Sequence, residues 1–145
     1  MQLTTFTDYA LRVLISVASK PEPERSTIPE IAAQYGISRN HLVKVVHHLS
    51  SSGYLSTIRG KGGGFRLARP AEDIRVGDVI RETEHRFDLV PCLDASRRGS
   101  CAIEPACVLK RALRQALEAF LSVADGYTLA DLVRPRHRLR KLLSV

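Results

Sequence analysis

Cys92, Cys101 and Cys107 are the only cysteines in the 145-residue chain, and all fall in one polar stretch, residues 91–107, rich in Pro, Ser, Arg and Gly. Cysteines used for packing are scattered through apolar segments. Thiols gathered in a polar loop are candidate ligands or redox groups. The gaps are eight residues and then five. Structural zinc favours paired C-x2-C or C-x4-C spacing and a fourth protein ligand, and neither spacing is present. An iron–sulfur cluster accepts wider gaps, because its ligands reach different irons of a larger object. A disulfide-forming thiol switch is the third possibility. Arg97, Arg98 and Lys110 flank the cysteines and would favour thiolates. The spacing suits a cluster best, and the residues alone leave the switch, zinc and bystander readings open.

The second chemistry is carried by charge. The chain has a formal net charge of +7, and residues Ile31–Ala71 hold no acid but six Lys/Arg and three His. A soluble surface normally mixes both signs, so a one-sign segment points to a polyanion such as nucleic acid. Hydrophobic residues make up 44% of the chain, enough for a core. No run approaches the roughly 18 apolar residues of a membrane span. The start, Met1-Gln2-Leu3-Thr4-Thr5, has no basic region before an apolar stretch, so a cytoplasmic protein is expected. No Ser/His/Asp, Cys/His or paired-carboxylate set with a plausible context is present, so no enzyme is expected.

Local signals place these residues on elements. Thr5 with Asp8 fits a capping box opening a helix over Thr5–Ser19, with Phe6, Tyr9, Ala10, Val13 and Val17 on one face. Pro21 to Glu24 breaks it. Thr27 with Glu30 opens a second helix, Pro29 sits in its first turn, and Gly36 closes it. Ser38 is expected to cap a third helix, Arg39–Ser51. Its Leu42, Val45, Val46 and Leu49 face inward, and Asn40, Lys44, His47 and Ser51 face outward. His47 and His48 are read as surface residues. Tyr54–Arg59 and Gly64–Ala68 alternate as strands around the glycine-rich tip Gly60-Lys61-Gly62-Gly63. Two short helices and a basic hairpin make a winged helix-turn-helix. The expected DNA contacts are Ser38, Arg39, Asn40, His41 and Lys44 on the third helix, and Arg59, Lys61, Gly62, Gly63 and Arg66 on the wing, with Arg69 adding charge.

Beyond the wing, Val76–Glu84 reads as a short helix. Ala106–Ala124 reads as a long amphipathic one with a stripe of Leu109, Leu113, Ala116, Leu117, Phe120 and Ala124. Little chain remains to cover that stripe, so it is expected to pair two subunits. Leu129, Leu132 and Val133 form a short apolar segment, and the basic stretch Arg134–Lys141 is read as solvated surface. The expected architecture is mainly α with a small β-hairpin wing. It divides into a DNA-binding unit (1–75), a short helix and cysteine loop (76–105), and a dimerisation helix with C-terminal segment (106–145).

These residues together resemble the iron–sulfur winged-helix regulators that include IscR, RirA and the nitric-oxide-sensing repressor NsrR. The likeness lies in Leu3-Thr4-Thr5-Phe6-Thr7-Asp8-Tyr9-Ala10-Leu11-Arg12, in Ser38 to Val45, in Arg59 to Gly64, in Cys101-x5-Cys107 before a long helix, and in Tyr127 to Val133. Lys110 stands where the IscR branch has a His, which favours the NsrR branch. The resemblance implies a homodimeric repressor that binds a double-stranded DNA operator, with nitric oxide as its signal. It implies one cluster per subunit on Cys92, Cys101 and Cys107, with Asp8 of the partner subunit as fourth ligand. Three cysteines and one carboxylate each holding one iron favour [4Fe–4S] over [2Fe–2S]. His85 and Glu104 are alternative fourth ligands and otherwise surface residues. An iron- or redox-sensing regulator of the same fold is the alternative.

Overall fold

The computed structural model describes residues 2–60, 62–97, 99 and 101–144, so Lys61 and Arg98 lie outside the described residues. Helix α1 spans Thr5–Ser19, with extended Thr4 as N-cap and its hydroxyl accepting the Thr7 N–H. The Thr5–Asp8 box is therefore corrected. The N-cap is one residue earlier, and Asp8 turns to Arg12 instead. The physical reason is Glu84, whose carboxylate accepts the Thr4 N–H at 2.6 Å. It takes over, from a remote position, the task of the acid in a local box.

Helix α2 (Ile28–Tyr35) has the expected Thr27–Glu30 capping box and ends on Gly36 in the left-handed region, φ 65°. Helix α3 (Arg39–Ser51) buries Leu42, Val45, Val46 and Leu49, as its periodicity requires. Ser38 occupies the N-cap position, but its hydroxyl makes no cap bond; its backbone carbonyl accepts from His41 and Leu42 instead. Strands β1 (Leu55–Ile58) and β2 (Gly64–Leu67) pair antiparallel, Leu55 opposite Leu67 and Ile58 opposite Gly64. Both are shorter than the alternation predicts. Ser26 exchanges both backbone bonds with Phe65 at 2.9 Å, anchoring the hairpin to the chain entering α2.

Helix α4 spans Val76–Thr83. The cysteine stretch folds into 3₁₀ turns at Pro91–Leu93, Ala95–Arg97 and Glu104–Ala106, and the last delays helix α5 to Val108–Asp125. Short helices α6 (Leu129–Leu132) and α7 (Arg136–Leu143) follow. The basic stretch is thus largely helical, with Leu139 packed against the core and its Arg and Lys residues exposed.

One core joins α1 (Ala10, Val13, Leu14, Val17), Ile31, the inner face of α3, and Tyr54, Leu55 and Phe65 of the wing. Ile74, Val79, Leu129 and Val133 belong to the same cluster, so the C-terminal segment is folded back onto the helix-turn-helix. Leu14 and Leu42 are fully buried, each contributing on the order of 2 kcal/mol. Helix α5 stands outside this core, with Ala124 its only buried residue and Leu109 65% exposed. It is fastened to α4 at its far end, where Arg81 forks onto both Asp125 oxygens at 2.6 and 2.7 Å. Gly77 makes room for that carboxylate: a Cβ there would stand 1.9 Å from Asp125 Oδ1.

Candidate functional site

The expected DNA-contact residues that are described are exposed, with one exception. Ser38, Arg39, Asn40, His41 and Lys44 are exposed on the first two turns of α3, and Arg59, Gly62 and Arg66 are exposed on the wing. Gly63 is half-buried, and Lys61 is outside the described residues. Amphipathic spacing sets this arrangement, because seating Leu42, Val45 and Val46 turns Lys44 and Asn40 outward. The wing tip is braced by Arg25, whose Nη1 donates to the Gly62 carbonyl at 2.9 Å. No local signal at Arg25 reveals this brace. Arg69 lies 4.2 Å from the centre of the Tyr54 ring, so it stacks as well as supplying charge. Burial pushes the Tyr54 hydroxyl above its ordinary pKa, against the opposing pull of Arg69.

Helix α1 seats α3, the expected recognition helix, with aromatic contacts. Phe6 meets His48 edge-on at 5.4 Å, and the Tyr9 and His41 rings are 6.0 Å apart. His48 is therefore half-buried, with Nε2 3.3 Å from Glu82, rather than a surface residue; His47 is exposed as expected. Thr5, Phe6, Tyr9, His41, Lys44 and Val45 line a cleft of about 250 Å³ between the two helices.

The three cysteines are free thiols. Cys92 and Cys107 are half-buried and Cys101 is exposed. Cys107 is the N-cap of α5, its Sγ accepting the Lys110 N–H at 3.3 Å, at the helix end whose dipole favours an anion. Among the described residues no three His, Cys, Asp or Glu side chains converge closely enough to hold a single metal ion. The donor set nevertheless fits an iron–sulfur group: three unpaired thiols on one loop, one of them at a helix N-terminus.

The carboxylate candidates differ. Asp8 accepts both bonds from Arg12 Nε, at 2.9 and 3.0 Å, on an exposed face. That pairing raises the Arg12 pKa above its ordinary value. Arg12 also lies 5.5 Å over the Tyr35 ring of α2. Glu104 is corrected from surface residue to loop fastener. It pairs with Lys110, both side chains largely buried, and accepts the Gly99 N–H at 2.7 Å. His85 is exposed.

Residues 3–135 match the family model described as Rrf2, iron-dependent transcriptional regulator. The chain belongs to the Rrf2 family. It is 50% identical to the HTH-type transcriptional regulator NsrR of Bacillus subtilis (strain 168) over 145 residues, 100% of this chain and 99% of that protein. The oxidised form of Staphylococcus aureus CymR superposes with a TM-score of 0.73 at 28% identity, covering 92% of this chain and 97% of that one. T. potens IscR superposes with a TM-score of 0.75 at 25% identity, covering 97% and 91%. The Rrf2 fold is the mainly helical winged helix expected from the sequence, and membership makes the chain a DNA-binding transcriptional regulator, not an enzyme. Among the described residues no helix is long and apolar enough to cross a membrane.

Proposed function

We propose that this Rrf2 regulator is a homodimeric, cytoplasmic repressor whose operator binding is governed by an iron–sulfur cluster sensitive to nitric oxide. The observation that carries the reading is three free thiols on one loop in a chain half identical, end to end, to NsrR. Cys92, Cys101 and Cys107 would hold one [4Fe–4S] group per subunit, with Asp8 of the partner subunit as fourth ligand. Bound there, the group supplies irons whose ligation nitric oxide disrupts.

The rest of the work falls to the chain. Cys92 lies in the Pro91–Leu93 turn and Cys107 at the start of α5, so a group held by both would tether the loop at its two ends. Asp8 stands on α1, which seats the recognition helix, so engaging Asp8 across the dimer fixes the spacing of two recognition helices. Paired half-sites demand that spacing. Reversing a two-state balance takes several kcal/mol, within reach of lost metal–ligand bonds. The exposed Leu109 of the α5 stripe, with exposed Val123 at its border, supports the role of α5 as the pairing surface.

Exposed Cys101 also favours a second reading, a thiol switch on the same fold. Absorption separates the two, since a cluster colours an anaerobic preparation and a thiol switch does not. The main test is anaerobic titration with nitric oxide while iron, sulfide, absorption and DNA affinity are followed together. Colour and affinity are expected to fall in step, and Cys101→Ala to lack both colour and response. A preparation without iron or sulfide that still releases DNA on exposure to nitric oxide would overturn the proposal.

A further inference from the structure

Among the described residues Glu84 is the only charged residue buried with the core, at 9% exposure. A buried carboxylate is costly unless its acceptor capacity is met. Here one oxygen, Oε1, does all the accepting: from the Thr4 N–H at 2.6 Å, the Thr4 hydroxyl at 3.0 Å and the Thr7 hydroxyl at 2.6 Å. These bonds close the first turn of α1 from 77 and 80 residues away.

The two ends of this tie differ in kind. Glu84 is the C-cap of α4, the helix end from which the chain runs through residues 85–90 into the cysteine stretch at Pro91. Thr4 and Thr7 flank the turn from which Phe6 and Tyr9 reach His48 and His41 of the recognition helix, and on which Asp8 stands. We propose that Glu84 is a positioning residue: it couples the cysteine loop to the recognition helix by fixing the first turn of α1 to the loop's root. The proposal deepens the sensor reading and rests on it for the signal. A shift of the loop's root moves Oε1, and α1 follows or loses its cap.

The test compares loaded and cluster-free full-length protein, binding a duplex selected by the wild type from a random library. The readout is the ratio of the two affinities, expected at roughly 5- to 150-fold in the wild type, the usual range for linked sites. A merely structural role lowers both affinities and leaves the ratio unchanged. Glu84→Gln retains Oε1 and is expected to keep the ratio within about threefold of wild type, the effect of weakening rather than losing the bonds. Glu84→Leu keeps volume without an acceptor and is expected to bring the ratio towards one. In that variant's cluster-free form, the Thr7 and Asp8 amides should exchange roughly five- to tenfold faster, as for a lost N-cap. Should Glu84→Leu fail to fold, isosteric Thr7→Val carries the test, with the ratio reduced roughly threefold or more. Wild-type ratio and exchange in the folded variant would overturn the coupling. A wild-type ratio of one would instead sink the sensor reading and the coupling with it.

Discussion

Gly63→Ala is expected to weaken DNA binding while leaving the cysteine loop untouched. A Cβ at residue 63 would stand 2.5 Å from the Ile58 carbonyl oxygen and 2.8 Å from that of Gly60. Both are backbone atoms of the same hairpin, so neither can rotate aside as a side chain would. Gly63 also donates its N–H to the Gly60 carbonyl at 2.8 Å, so relieving the clash breaks the turn's own bond. Overpacking of this kind costs about 1–3 kcal/mol. If DNA takes only the native tip, disfavouring that tip by this amount lowers apparent affinity roughly 5- to 150-fold. Gly62→Ala is a milder comparison. A Cβ there meets nothing within 4 Å, but φ is +78°. The left-handed backbone costs a non-glycine residue about 1 kcal/mol or slightly more, roughly fivefold in affinity. Gly62→Asn should lose less than Gly62→Ala, since Asn tolerates that region. The assay is fluorescence anisotropy with the selected duplex and with a mixed-sequence duplex over a salt series. Affinity within about twofold of wild type for Gly63→Ala would show that the tip's shape is not what DNA reads.

Other consequences are as direct. Lys44→Ala should weaken binding to all sequences alike and lower the salt slope by about one, as for one lost phosphate contact; an unchanged slope removes Lys44 from the interface. Gly77→Ala should drive the Asp125 carboxylate off the Arg81 fork and loosen α5 against α4. Sedimentation equilibrium is expected to show weaker self-association, and unchanged association would refute this use of Gly77. The Arg81 fork holds the Asp125 carboxyl below its ordinary pKa, and the Thr128 N–H and hydroxyl do the same for Asp131. A lowered folded-state value gives stability that is present above the unfolded aspartate value, about 3.9, and lost as pH falls through the folded value. Thermal stability should therefore fall at acid pH below that point, less steeply in Asp131→Asn. Stability that rises on acidification would contradict both assignments.

The parts of the fold that were legible from sequence depend on neighbours within a turn or two. The Thr27–Glu30 box, Gly36 and the inward spacing of Leu42, Val45, Val46 and Leu49 are local, and α2 and α3 follow from them. What stayed hidden are contacts between distant positions that leave no periodic trace. Ser26 pairs with Phe65, Arg25 holds Gly62, and Glu84 caps Thr4. Leu129 and Val133 were visible as apolar, but nothing local says they fill the core under α1. At the cysteine loop the thiols were legible, while the fastening of Glu104 to Lys110 and Gly99 depends on how three successive turns fold.

Asp8 gains weight from the same correction that moves the helix cap. As a capping residue it would be committed to the backbone, and taking it for a ligand would fray α1. With Thr4 and Glu84 closing that turn, Asp8 is held by Arg12 alone among its hydrogen-bond partners, on a face where its side chain is 46% exposed. Exposed pairs one turn apart are worth about 0.3–0.5 kcal/mol, so exchanging Arg12 for a metal costs little. Arg12 would still lie over Tyr35. Glu104 is placed oppositely: withdrawing it leaves largely buried Lys110 without its carboxylate and Gly99 without its acceptor. The two acids should therefore fail differently. Asp8→Ala is expected to assemble a coloured centre that is lost faster to chelators and no longer changes DNA affinity, with α1 still folded. Glu104→Gln is expected to impair loading itself. Wild-type chelator resistance and nitric oxide response in Asp8→Ala would take Asp8 out of the site.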